Sequence, residues 1–104
     1  MSAADSESVR DDLLTRFGDE GIVGAKMFGS NAIMLDGKVL AVFHAGDAVF
    51  KLGRDSVLML DGLVSGLHKF DPSGKNRAMK DWLVVDDGRD LDEYLLQAIA
   101  LHRE

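Results

Sequence analysis

The sequence predicts an α+β domain in which an antiparallel sheet of five or six strands packs against three helices, in the order α-β-β-β-β-α-β-β-α. Apolar residues recur at helical spacing near both ends of the chain, which is typical of amphipathic helices. Between them, short apolar runs are separated by turn-forming pairs such as Asp36-Gly37. Because such short connections join antiparallel neighbours, the central strands should form a meander from which the helices are segregated.

Length and composition are those of one globular domain over residues 1–104, with residues 1–5 expected to form a frayed tail. The chain is 46% apolar and 29% charged, which is ordinary for a globular domain. A domain of this length buries roughly two-thirds of the surface that its unfolded chain exposes, so one hydrophobic core can stabilise it without disulfide bonds. It contains no cysteine, which excludes disulfides, thiolate zinc sites and cysteine nucleophiles. The acidic N-terminus lacks the basic start and apolar stretch of a secretory signal, and no apolar run approaches the ~18 residues of a membrane span. We therefore expect a cytoplasmic protein with no membrane partner.

The first helix is expected to begin near Asp5 or Ser6, whose side-chain oxygens can accept hydrogen bonds from free backbone N–H groups. Its apolar stripe comprises Val9, Leu13, Leu14 and Phe17. Residues spaced four apart lie on one face of a helix, so the spacing predicts a helix with one buried face.

Residues 23–52 change to the pattern of a four-stranded meander. The predicted strands cover 25–28, 32–35, 38–43 and 48–52. Asp36-Gly37 between two apolar runs is the strongest short hairpin signal, because a type I′ turn requires positive φ at both central residues. Ala45-Gly46-Asp47 marks the next turn. Met27-Phe28-Gly29 is interpreted as a strand end and turn, in which Phe28 supplies buried surface and Gly29 lets the backbone reverse.

A middle helix is predicted over residues 55–65. Asp55 or Ser56 can cap its start, and Gly66 ends it. Its apolar stripe comprises Val57, Leu60, Leu63, Val64 and Leu67. Gly62 lies inside this helix, where glycine costs about 1 kcal/mol relative to alanine.

The remaining residues predict two strands and a final helix. Strands at 68–70 and 81–85 lie on either side of a type I turn at 71–74. The final helix begins at Asp90, an acidic cap that suits the positive end of the helix dipole. Its apolar face comprises Leu91, Leu95, Ala98, Ile99 and His102.

The net charge of −6 argues against direct nucleic-acid binding, because an acidic surface repels phosphates at long range. The charge is uneven, since residues 69–80 carry four basic side chains against Asp71 alone. The basic residues are Lys69, Lys75, Arg77 and Lys80. One hypothesis is that they form a surface for an anion or a partner. The favoured interpretation is a solvated face whose charges pair with the acidic helices.

The other polar residues offer no convincing catalytic, cofactor-binding or metal-binding set. His44, His68 and His102 lack the spacing of metal ligands, so they are expected to be surface or satisfied histidines. Asp86-Asp87 with Asp90 could hold a divalent cation, but a solvated turn and helix cap is the favoured interpretation. Trp82, within an apolar strand, is expected in the core rather than at a ligand.

Several short motifs, in order along the chain, resemble the N-terminal domain of the TfoX/Sxy family. They are Met27-Phe28-Gly29, Asp36-Gly37-Lys38, Phe50-Lys51-Leu52 and Arg77-x-Met79-x-x-Trp82. The resemblance covers residues 9–102. It departs from the family at residues 30–33, Ser-Asn-Ala-Ile, where the family often has a second glycine and an aromatic residue. It implies structural roles for Met27, Phe28, Gly29, Asp36, Gly37, Lys51, Met79 and Trp82.

The resemblance also implies a small non-enzymatic domain with a regulatory role or a protein partner, linked to transcriptional regulation or competence. The competence regulators of the family carry a second, C-terminal domain, whereas this sequence ends at Glu104, so we expect a single-domain member. The alternative is a protein that binds a small molecule or a phosphate-bearing ligand, or an unrecognised enzyme. That alternative requires a pocket with convergent polar groups and a displaced pKa. No cofactor is predicted, and the oligomeric state is left open.

Overall fold

Three α-helices and six strands, in the predicted order, make up the part of the chain that the computed structural model describes. The described residues are 3–27, 29–44, 47–71, 78–86 and 90–104. The helices are α1 (Ala3–Arg16), α2 (Val57–Val64) and α3 (Leu91–His102). The strands are β1 (Val23–Met27), β2 (Ser30–Leu35), β3 (Lys38–His44), β4 (Asp47–Lys51), β5 (His68–Lys69) and β6 (Trp82–Val85). The predicted α+β class is therefore confirmed.

All six strands belong to one antiparallel sheet with the spatial order β1-β2-β3-β4-β6-β5. The first four strands form the predicted meander, since each pairs with the next along the chain. β6 pairs with both β4 and β5 and therefore lies between them. Within the described sheet, β1 and β5 are consequently the edge strands.

The Asp36-Gly37 turn has the predicted type I′ geometry. Asp36 has φ = 52° and Gly37 has φ = 78°, and the flanking residues Leu35 and Lys38 are cross-strand partners. Aspartate is one of the few residues besides glycine that enter the left-handed region at modest cost. This turn matches the right-handed twist of its strands and so sets the register of β2 and β3.

The register of β2 and β3 shifts once, at Leu40. Ile33 pairs with Ala41 whereas Met34 pairs with Val39, so Leu40 is the extra residue of a β-bulge. Leu40 and Ala41 both belong to the main buried cluster. The bulge therefore lets two consecutive residues of β3 contribute to one core, which the unbroken apolar run of this strand did not indicate.

The three helices cover the same face of the sheet. One cross-sheet row of partners comprises Gly24, Ile33, Ala41, Phe50 and Leu83. α1 crosses this row at Gly24, where a Cβ atom would lie 3.0 Å from Leu14 Cδ1. α3 stacks Tyr94 on Phe50 with 5.9 Å between the ring centroids. α2 reaches the row at Leu83, as described below, so the main core lies between this face and the helices.

The predicted apolar faces of α1 and α3 both contribute to this core. From α1, Leu13 is buried while Val9, Leu14 and Phe17 pack against the buried cluster. From α3, Leu95, Ala98 and Ile99 are buried, with Leu91 packed beside them. Asp90 caps α3 as predicted, because its Oδ1 accepts a hydrogen bond from the backbone N–H of Asp92 at 3.1 Å.

α1 begins at Ala3, two residues before the first predicted cap, so residues 3–5 of the expected frayed tail are helical. Ser6 is buried, and its Oγ accepts a hydrogen bond from Asn31 Nδ2 at 2.9 Å. Arg10 Nη1 donates to Asn31 Oδ1 at 3.2 Å and to the carbonyl oxygen of Ala25 at 3.1 Å. Buried polar groups with bonded partners like these join α1 specifically to β1 and β2.

Gly29 closes the two-residue connection between Met27 and Ser30, which are cross-strand partners. Its φ of +79° lies in the left-handed region, and nothing lies within 4 Å of the position that a Cβ atom would occupy. We therefore expect Gly29→Ala to lower the free energy of unfolding by about 1–2 kcal/mol through backbone strain alone. Gly29→Asn should cost less, since asparagine tolerates this region. Urea denaturation of both variants measures the difference, and equal costs for Ala and Asn would contradict the turn assignment.

Candidate functional site

Hydrogen bonds fix the N-terminal end of α2. Ser56, one of the two predicted caps, accepts a hydrogen bond at Oγ from the backbone N–H of Met59 at 3.2 Å. Just before it, the backbone N–H groups of Leu52 and Gly53 donate to the carbonyl oxygen of Asp81 at 2.9 and 3.2 Å. The carboxylate of Asp81 also accepts hydrogen bonds from the backbone N–H and Nε of Arg54, at 3.0 and 3.2 Å. The start of α2 is thereby joined to the start of β6.

The buried side of α2 is narrow and close to the sheet. Met59 and Gly62 are the buried residues of the helix. A Cβ atom at Gly62 would lie 2.6 Å from Leu83 Cδ2, and Leu83 is itself fully buried. Packing therefore explains the glycine at position 62, because only a residue without a side chain lets α2 approach β6 this closely.

The opposite side of α2 is apolar and exposed. We call it the outer stripe, and it comprises Val57, Leu60, Leu63 and Val64. Their exposed fractions are 72%, 50%, 36% and 89%, respectively. At 100° per residue the four side chains span about 120° of the helix circumference. Four of the five residues of the apolar stripe that the sequence indicates thus face solvent, while Leu67 packs against the core.

A helix that is apolar on all sides is normally buried on all sides. α2 departs from this rule because its inner side is covered by the sheet and its outer side is not. Asp61 is the one charged residue in the helix, and it is exposed beside the outer stripe. Clustered exposed apolar residues of this kind mark interaction sites, whereas singly scattered ones are ordinary. Leu96, 45% exposed on α3, is such a scattered residue and provides a matched control.

The predicted basic surface is described only in part. Lys69 lies half-buried in β5, where it is the cross-strand partner of Leu83. Lys80 is exposed in the turn before β6. Lys75 and Arg77 lie outside the described residues. Neither of these two lysines lines the cavity between β3 and α3 or the cavity between α1 and α3. The basic surface stays a prediction.

The motif residues of the family resemblance lie mostly at turns and strand ends. Met27 and Gly29 belong to the first hairpin and Asp36 and Gly37 to the second, while Phe28 lies outside the described residues. Lys51 ends β4, and Met79 is 41% exposed before β6. The structural roles that the resemblance implies for these residues stay a prediction.

Trp82 differs from the expectation that it lies in the core. It is only half-buried, and it pairs with Lys51 at the start of β6. Its neighbour Leu83 faces the helices, so Trp82 faces the other side of the sheet because side chains alternate along a strand. The apolar run around Trp82 does not indicate which face of the sheet is covered by the helices.

The three histidines do not meet in the described structure. His102 on α3 lies beside the hairpin turn, with Nε2 3.0 Å from Asp36 Oδ2. His68 is exposed in β5, and the side chain of His44 lies outside the described part. Asp86 and Asp90 are described, whereas Asp87 is not. Among the described residues, no group of three or more histidine, aspartate and glutamate side chains could hold a metal ion.

Two cavities among the described residues bear on ligand binding. A cavity of about 200 Å³ lies between β3 and the end of α3, lined by residues that include Lys38, Leu40, Lys51 and His102. It adjoins the C-terminal end of α3, whose carbonyl groups disfavour an anion. A cavity of about 470 Å³ lies between α1 and the start of α3, and its lining includes Asp12, Arg16 and Asp92. Asp12 and Asp92 both form ion pairs with Arg16.

Arg16 and Asp92 join α1 to the start of α3. Arg16 Nη2 donates to Asp92 Oδ1 at 2.7 Å, and Nη1 donates to Oδ2. The hydrogen bonds from Arg16 lower the pKa of Asp92, as those from Arg54 lower the pKa of Asp81. Both carboxylates therefore favour the folded state above the unfolded aspartate pKa of about 3.9.

Acid should weaken the fold partly through these two aspartates. Because their folded pKa values are depressed, their stabilising contributions are lost as the pH falls below about 4 through the folded values. We expect the free energy of unfolding of Asp92→Asn to fall less steeply between about pH 5 and pH 3 than that of the unsubstituted chain. Urea denaturation across this pH range measures the slope, and parallel curves would contradict the assigned role of Asp92.

Comparisons with protein-family models, with curated proteins and with solved structures give no match to this chain. The TfoX/Sxy resemblance therefore rests on the sequence motifs alone. In the described part of the chain, no helix has both the length and the apolar character needed to span a membrane.

Proposed function

We propose that the chain is a small non-enzymatic regulatory or protein-interaction module that binds its partner through the outer stripe of α2. The observation that carries the proposal is the exposure of Val57, Leu60, Leu63 and Val64 on one side of an eight-residue helix. The regulatory part of the proposal, including a link to transcriptional regulation or competence, comes only from the motif resemblance to the TfoX/Sxy family.

The outer stripe suits protein binding because it is apolar and already ordered. Fully burying a side chain such as valine or leucine contributes about 1.5–3 kcal/mol, so a partner that covers even part of the stripe gains appreciable free energy. The Ser56 cap and the Asp81 contacts hold α2 in place before binding, which reduces the entropy lost on association. The stripe alone is smaller than a standard interface, so we expect a modest, reversible complex unless neighbouring surface also contributes.

The ligand-binding alternative has weaker support in the described structure. A typical ligand pocket has a volume of about 300–1,000 Å³ and a few convergent polar groups. The cavity beside Lys38 is smaller, at about 200 Å³. The larger cavity has Arg16 and Asp92 bonded to each other rather than directed at an empty position. Neither arrangement favours a bound phosphate or an enzymatic reaction over a protein partner.

Photo-crosslinking in the source cell tests the proposed function. A benzophenone amino acid at position 64, in place of Val64 in the outer stripe, should form covalent adducts with a partner protein on irradiation. The same group at position 96, in place of the isolated exposed Leu96, is the matched control and should form few or none. Equal adduct yields at the two positions, or no protein adduct at position 64, would overturn the proposal.

A further inference from the structure

We infer that the partner segment covering the outer stripe is an amphipathic helix whose apolar face is flanked by lysine or arginine. This inference rests on the proposed function and adds the chemistry of the partner. Two observations carry it: the shape of the outer stripe and the acidic residue beside it.

The shape of the outer stripe favours a helical partner over an extended one. An extended peptide usually binds by adding main-chain hydrogen bonds to an exposed strand, whereas the backbone of α2 is already hydrogen-bonded within the helix. Val57, Leu60 and Val64 are spaced i, i+3 and i+7, which produces the side-chain ridges that interlock with the grooves of a second helix. α2 is about 12 Å long, so it can pack against about two turns of such a partner.

The charges around the outer stripe favour a basic partner. Asp61 is exposed and lies about 40° around the helix from Val57, which places its carboxylate along one margin of the stripe. The last turn of α2 contains no basic side chain that would offset the charge of Asp61. The net charge of −6 should further accelerate encounters with a basic segment. Lys69 on the neighbouring β5 is the cross-strand partner of Leu83, so it lies on the face of the sheet that α2 covers and offsets part of this preference.

A second copy of the chain fits this surface poorly. A two-fold axis perpendicular to α2, placed at the middle of the outer stripe, would set two α2 helices antiparallel, with positions 60 and 61 nearest the axis. Asp61 of one copy would then face Asp61 of the other along the same margin of the interface. Two like charges placed together at an interface are unfavourable, and each copy also carries a net charge of −6.

A lipid surface also fits poorly. Helices that lie in membrane interfaces usually carry lysine and arginine on the polar margin of their apolar face, where they bind anionic headgroups. α2 has Asp61 at this margin and no lysine or arginine in the helix. The acidic margin would therefore repel an anionic membrane.

The experiment is a selection from a random 16-residue peptide display library on the full-length chain. Each selected peptide is then tested for binding to Leu60→Glu, and Leu96→Glu serves as the control that must retain binding. We expect the selected peptides to combine apolar residues spaced i, i+3 or i+4, and i+7 with an excess of Lys and Arg. For these peptides, Leu60→Glu should weaken binding at least about tenfold. Asp61→Lys should weaken it severalfold at low salt, and less at high salt because the ions screen the charges.

The possible failures are distinguishable. Peptides that depend on Leu60 but are neutral or acidic would overturn the basic-helix inference and leave the proposed function standing. If no peptide depends on Leu60, the proposed function and this inference both fail. A dimer in sedimentation velocity that Leu60→Glu dissolves would overturn the inference in favour of a second copy. Leu60-dependent binding to phosphatidylcholine vesicles would overturn it in favour of a lipid surface.

Discussion

Leu60→Glu should weaken partner binding by about 30-fold or more, which corresponds to the loss of roughly 2 kcal/mol at an interface hot spot. The carboxylate would be carried into the contact that the leucine makes and would lose its hydration there. The same substitution should change the free energy of unfolding of the isolated chain by no more than about 0.5 kcal/mol, because Leu60 is half-exposed and away from the core. Titration with the crosslinked partner or a selected peptide, together with urea denaturation, measures both quantities.

Leu96→Glu is the control for this prediction. It makes the same chemical change at a similarly exposed helical position, 45% against 50%, outside the outer stripe. We expect it to alter neither binding nor stability appreciably. If Leu60→Glu unfolds the chain, Leu60 has a structural role that its exposure does not reveal. If both variants weaken binding equally, a general charge effect would explain the result and the outer stripe would not be the contact.

Gly62→Val should destabilise the fold by about 3 kcal/mol, the upper part of the range for an overpacked core. The first added carbon would lie 2.6 Å from Leu83 Cδ2, and Leu83 is fully buried, with little room to move. Helix propensity alone indicates the opposite sign, since glycine is the less favourable residue inside a helix. Urea denaturation therefore shows directly which of the two effects dominates at this position.

A double-mutant cycle with Leu83→Ala identifies the cause of the Gly62→Val effect. Leu83→Ala alone should cost about 2–5 kcal/mol, as truncation of a buried leucine usually does. In the double variant the valine would occupy part of the vacated space. The double variant should therefore lose about 1–2 kcal/mol less unfolding free energy than the sum of the losses in the two single variants. Strict additivity would mean that valine at position 62 acts through something other than its contact with Leu83.

The sequence predicted the order of the elements because local signals determine it. The Asp36-Gly37 pair favours a type I′ turn, and this turn sets the register of β2 and β3. The stripes of α1 and α3 are each apolar on one side only, so their spacing indicates which side is buried. Asp90 similarly marks the start of α3 through local hydrogen bonding.

Features that depend on distant contacts did not follow from local signals. The insertion of β6 between β4 and β5 is a long-range pairing that no turn residue encodes. The bulge at Leu40 is hidden because every residue around it is apolar. Asn31, which joins α1 to the sheet through Ser6 and Arg10, has no pattern in the sequence that indicates a buried polar contact.

The candidate site shows the same limit. α2 is apolar on both sides, so periodicity identifies a helix but does not decide which side faces the sheet. Gly62 carried the deciding signal, because a glycine inside a helix also marks a place of close approach. Interpreted only as a cost to the helix, it did not indicate that Val57, Leu60, Leu63 and Val64 would be exposed. The charge pattern drew attention instead to residues 69–80, whose role as a site remains a prediction.

Thiol reactivity at position 64 tests most directly whether the outer stripe is a covered surface in the cell. The chain has no cysteine, so Val64→Cys and the control Leu96→Cys each carry a single reactive thiol. In the purified protein the thiol at position 64 should react with a maleimide at least as fast as the thiol at position 96, because Val64 is 89% exposed and Leu96 is 45% exposed. Inside the source cell, the thiol at position 64 should be modified markedly more slowly than the thiol at position 96. Equal rates at the two positions inside the cell would contradict a partner on the outer stripe of α2.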